Sequence, residues 1–170
     1  ERIGGERVTV SVLVAPGQSP HTYEPTAGQM AELARADVYF RIGMPFEEGL
    51  LERIIATRPD LNVVDLRAGV PLRDMEGHEG GEHEHEGGKD PHIWLAPRLV
   101  ITQARTIRDE LKRLDPEGAD LYDENLRAFA RELMALHAEI AEILRPVRGR
   151  EIFVFHPSYG YFADAFGLKQ

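Results

Sequence analysis

Three histidines of this chain share one local setting. His21 lies in SPHTYEP, His92 in DPHIW and His156 in VFHPSY, each directly beside a proline in an inter-element loop. Proline fixes φ and so lowers the entropy lost when a binding loop becomes ordered. Neutral imidazole is a good zinc ligand, and three such nitrogens would leave one tetrahedral position for a carboxylate or water. An ionised Asp90 or Glu24 could orient a ligating ring by accepting its second N–H, although each suits a turn or cap equally well. The ordinary reading of a single loop histidine is a surface residue or a satisfied hydrogen-bonding group. It is the repeated setting that points to a cation.

His92 also closes the run HEGGEHEHEGGKDPHIW, residues 78 to 94, which holds four of the seven histidines together with five acidic side chains. His78, His83 and His85 lie in its glycine-rich part, which has almost nothing to bury and is expected to be a mobile loop. Such a loop must be ordered before it grips an ion, so these three are expected to form only a weak auxiliary site; the alternative is a solvated acidic loop with incidental histidines. His137 falls inside a helical stretch beside an apolar stripe and reads as structural. Tyr159, Tyr161 and Phe162 read as packing residues. Trp94, the sole tryptophan, is expected to bury next to His92 and to report metal binding through its fluorescence.

The chain has 170 residues, 42% of them hydrophobic, enough for a sizeable core. Its formal net charge of -9 repels nucleic acid and anionic lipid and makes cations the natural partners. With no cysteine, any transition metal must be held by imidazole and carboxylate. No apolar run is long enough to cross a bilayer. The start at Glu1 and the stop after FGLKQ lead us to expect a processed or truncated product.

These residues need elements to position them. RVTVSVLV (7–14), DVYFRIG (37–43), NVVDL and EIFVF (151–155) read as strands. Thr26 and Gln29 have the spacing of a capping box that starts a short helix, and FEEGLLERIIATR (46–58) is amphipathic. Pro97 begins a helix over 97–114. Asp115 is expected to cap a long helix running to about Arg145, stopped by Pro146. Strand and helix alternate, which defines the fold class as α/β with a mainly parallel sheet and flanking helices, a long connecting helix and the beginning of a second α/β lobe. Histidines 21 and 156 then fall just beyond strand ends, where ligands bind in parallel α/β sheets.

SPHTYEPTAGQM, DPHIWLAP and VFHPSYGYFADAFGL, together with GERVTVSVLVAPG and ADVYFRIGMPFE, closely resemble the zinc-uptake solute-binding proteins of ABC transporters, the ZnuA-like branch of the TroA superfamily. The resemblance implies two α/β lobes joined by one rigid helix, with metal in the cleft between them. On this chain it implies an N-terminal lobe over 1–115 carrying the loop 74–89, an interlobe helix over 116–146 and the start of a second lobe at 147–170. It implies Zn2+ held by His21, His92 and His156, and its delivery to an ABC-type membrane permease from a periplasmic or cell-surface position, with no catalysis. Manganese-selective relatives have glutamate at the position of His156, so histidine favours zinc. The family's remaining carboxylate ligand would come from beyond Gln170, and the loop histidines would capture or sense metal. An unfinished second lobe is expected to promote a dimer or swapped assembly. Two other readings stand beside transport: a metal-dependent adhesin or zinc-sensing module on the same fold, and a zinc hydrolase, against which the sequence offers no HExxH.

Overall fold

The computed structural model describes residues 1–20, 22–75 and 88–170. His21, His78, His83 and His85 lie outside the described residues. Internal packing divides the chain into two compact units, one formed by Glu1–Leu66 with Thr106–Asn125 and the other by Arg67–Arg105 with Leu126–Gln170. This partition by packing cuts through two helices, and so differs from the segmental division at 115 and 146 drawn above.

The first unit is built on a β-α-β crossover. Strand β1 (Val38–Arg41) and strand β2 (Asn62–Asp65) pair in parallel with Val38 opposite Asn62 and Arg41 opposite Asp65. Helix α2 (Pro45–Thr57) joins them, and its Leu50, Leu51 and Ile54 pack with Leu33 and Leu61 into one buried cluster. Leu33 belongs to helix α1 (Ala27–Leu33), which starts as its sequence dictates. The Thr26 side chain accepts from the Gln29 N–H at 3.3 Å, and Gln29 Oε1 accepts from the Thr26 N–H at 3.0 Å. Gln29 also donates to the Leu13 carbonyl at 2.7 Å, tying the preceding segment to the helix.

The N-terminus of α2 holds a buried carboxylate. Glu47 is 2% exposed and accepts from the N–H groups of Ile42, Gly43 and Met44 and from the Tyr39 hydroxyl. Gly43, at φ 83°, takes the left-handed conformation that glycine adopts without steric cost, bringing consecutive N–H groups toward one anion. Burial and the neighbouring Glu47 carboxylate both push the Tyr39 phenol up, so it stays protonated and donates.

Helix α3 (Pro97–Leu114) has the expected bounds. Helix α4 (Ala119–Leu144) contains 26 residues, about 39 Å at 1.5 Å per residue, with a 3-10 turn at either end, Pro116–Gly118 and Arg145–Val147. Asp115 does not cap it through its side chain. Its carboxylate is taken instead by Arg7, whose Nε and Nη2 donate at 2.7 and 2.8 Å, and by the Tyr122 hydroxyl. Arg7 and Tyr122 thereby hold the Asp115 carboxyl well below the usual carboxylate range.

Two expected strands do not form. Residues 7–14 join no ladder among the described residues, and Val10 and Val12 remain exposed. Residues 151–155 make a single parallel bridge, Glu151 with Lys169, flanked by hydrogen bonds from Ile152 N–H to Lys169 C=O and from Lys169 N–H to Arg150 C=O. A strand is defined by its partner, and β-propensity without one leaves an extended segment. Phe153 and Phe155 accordingly stand 93% and 101% exposed. The parallel sheet of the described residues has two strands, and the chain is α/β as the alternation requires.

The second unit packs Val70, Ile93, Ala96 and Tyr161 into a buried cluster, the last from helix α5 (Gly160–Phe166). An antiparallel bridge joins Asp74 and Lys89, on either side of the acidic histidine-rich stretch. There the Met75 N–H donates to Gly88 C=O and the Asp90 N–H to Arg73 C=O, both at 3.0 Å.

Candidate metal centre

The Asp90-Pro91-His92 turn is fixed from below by Ile93, which is 0% exposed in the second unit's cluster. One oxygen of Asp90, Oδ1, accepts from both the His92 backbone N–H at 2.9 Å and His92 Nδ1 at 2.7 Å. A carboxylate can only accept here, so the Nδ1 position carries the proton, and in the neutral imidazole the lone pair of His92 lies on Nε2. Asp90 and His92 are 3% and 4% exposed, so water does not compete for this pair.

His92 Nε2 points at His156 Nε2, 3.2 Å away, with the rings close to perpendicular at 79°. Two nitrogens bound to one tetrahedral zinc at 2.0–2.1 Å stand about 3.3 Å apart. The observed spacing therefore matches a shared cation, and also an imidazole to imidazole hydrogen bond in which His156 donates to the His92 lone pair. His156 itself is exposed, in the loop before α5, where its carbonyl accepts from the Ser158 N–H at 2.8 Å.

Of the three primary histidines, two are thus brought together, and His21 lies outside the described residues. Among the described residues no group of three or more histidine, aspartate or glutamate side chains converges to hold a metal. Glu24 is exposed and lines, with Gln18, Ser19, Thr22 and Tyr23, an open cavity of about 440 Å³. Trp94 stands beside His92, ring centroids 5.3 Å apart, but it is 39% exposed rather than buried, because the 3-10 turn Ile93–Leu95 spends its inward position on Ile93. Tyr159 is likewise exposed, whereas Tyr161 is buried.

His137 packs against Phe166, ring centroids 4.9 Å apart. Its buried Nδ1 has no hydrogen-bond partner among the described residues. Burial, and to a lesser extent the charge of Arg98, push its imidazole down from the ordinary value.

The fold superposes with a TM-score of 0.88 on a ZnuA deletion mutant crystallised with zinc bound, at 43% identity over 99% of this chain and 62% of that one. The chain belongs to the ZnuA family, described as zinc-uptake complex component A, periplasmic, whose profile matches residues 1–170. The high-affinity zinc uptake system protein ZnuA of Yersinia pestis is 32% identical over 93% of this chain. The manganese-binding lipoprotein MntA of Halalkalibacterium halodurans is also 32% identical, over 99% of it. The chain spans 56% and 54% of the lengths of those two relatives.

Proposed function

We propose that the chain belongs to a metal-uptake receptor that binds zinc outside the cytoplasm and hands it to an ABC-type membrane permease. The observation that carries this reading is the 3.2 Å approach of His92 Nε2 to His156 Nε2, with Asp90 fixing the tautomer that turns a lone pair toward the gap. An all-nitrogen pair favours zinc over the harder manganese ion. His21 is the proposed third ligand, with a water or carboxylate in the fourth position. His78, His83 and His85 are proposed as a weak auxiliary site.

Manganese is the second reading, favoured by the similarity to MntA. A hydrolytic zinc centre finds less support, because Asp90, one of the two carboxylates considered as a base, is already engaged by His92 through both ring and backbone. An adhesin or sensor role of the same fold would keep the metal site and change the partner.

Calorimetric titration with zinc and with manganese tests the assignment. Zinc should bind more tightly than manganese, and His92→Ala or His156→Ala should each weaken zinc binding by at least about 100-fold, since each removes a ligand. His21→Ala should do the same, whereas deleting residues 76–88 should remove only weaker binding. Tight binding that survives all three substitutions would reject the site.

A further inference from the structure

His92 and His156 lie on separate segments, 64 residues apart in sequence, and an offset of about 1 Å between them would spoil a two-nitrogen site. The hydroxyl of Tyr161 spans those segments. It donates to the Asp90 carbonyl at 3.0 Å and accepts from the Arg73 N–H at 3.0 Å. The Arg73 carbonyl in turn accepts from the Asp90 N–H, so the backbone of Asp90 is held on both sides. Asp90 is the residue whose carboxylate orients His92. Tyr161 sits in α5, which begins four residues after His156. The Arg73 guanidinium pairs with Asp164 one turn along α5, and it lies so close over Gly160 that a Cβ there would meet its Nε at 2.7 Å.

We propose that Tyr161 is the positioning residue of the metal centre: its phenol fastens the Asp90-Pro91-His92 turn to the helix that follows His156, and so sets the two imidazole nitrogens at one-cation spacing. This rests on the reading of His92 and His156 as ligands. Tyr161 is 4% exposed and its ring also packs against the cluster containing Ile93, so removing the hydroxyl alone separates positioning from packing. Tyr159, two residues earlier and 43% exposed, serves as the control phenol.

Zinc affinity, measured by competition with a chromophoric chelator, should fall about 10-fold in Tyr161→Phe, the low end of the range for groups that orient a ligand. Tyr159→Phe should stay within about twofold. Leu72→Ala, which trims the same apolar cluster without touching a hydrogen bond, should lower the melting temperature without a matching loss of affinity. Imidazole ¹⁵N spectra of the zinc-free protein should show His92 as the Nδ1–H tautomer in wild type and Leu72→Ala, and as a mixture in Tyr161→Phe. If Tyr161→Phe is partly unfolded, the tautomer of its folded population still decides. Wild-type affinity and tautomer in Tyr161→Phe, or an equal loss of affinity in Leu72→Ala, would overturn the proposal. Zinc binding that is indifferent to His92→Ala would instead remove the ligand reading, and this proposal with it, an outcome distinct from failure of the Tyr161 arm alone.

Discussion

At the scale of single residues, the pair Asp90 and His92 is two positions apart, so their contact is local and legible from DPHIW alone. The approach of His156 is not local, and no spacing rule announces it; the repeated proline setting, the place beyond a strand end and the family resemblance are what point to it. Tyr161 reads from sequence only as a packing residue, because its partners, the Asp90 carbonyl and the Arg73 N–H, are brought up by folding, whereas the backbone partners of Glu47 lie just before it in the chain. Asp90→Asn keeps an acceptor for His92 Nδ1 but withdraws its charge, which lowers ligand basicity. Zinc affinity should fall by roughly 10-fold to 100-fold. Trp94, 5.3 Å from His92 by ring centroid, makes tryptophan emission a direct readout of that titration. His137 carries a separate pH dependence. Its folded imidazole resists protonation, whereas the unfolded one takes up a proton near pH 6.5. The stability that this group contributes is therefore present above about pH 6.5 and is lost as pH falls through the window between the unfolded and the depressed folded value. Urea midpoints at pH 7.5 and 5.5 should differ less in His137→Phe, which retains an aromatic contact with Phe166, than in wild type.

At the scale of elements, the helices of this chain are set by local signals and the strands are not. The Thr26 capping box, the start of α3 at Pro97 and the apolar face of α2 each follow from groups within one or two turns. Residues 7–14 and 151–155 have strand composition but depend on partners that local sequence does not specify, and among the described residues they form no ladder beyond the Glu151–Lys169 bridge. The start of α2 depends instead on Glu47. Glu47→Ala would strand the N–H groups of Ile42, Gly43 and Met44 in a buried site and should cost about 3 kcal/mol of unfolding free energy, measured by chemical denaturation. Glu47→Gln, which keeps one acceptor oxygen, should lose less.

At the scale of the whole molecule, the net charge of -9 opposes self-association at low salt while the exposed Phe153 and Phe155 promote it. The expectation of a dimer stands on these two side chains. Sedimentation at 0.5 M salt should show concentration-dependent association that Phe153→Ser with Phe155→Ser abolishes; a monomer throughout would end the idea. The bridge between Asp74 and Lys89 bears on a different question. Met75 and Gly88 are directly hydrogen-bonded, and Arg73 and Asp90 are joined by a second such bond, so the chain leaves and re-enters at adjacent points. Closing a longer insert across a junction of this kind costs only about 0.6 kcal/mol per doubling of length. Evolution, or an engineer, is thus at liberty to swap the histidine-rich cassette for one of another composition or size while the imidazole two residues past the splice keeps its address.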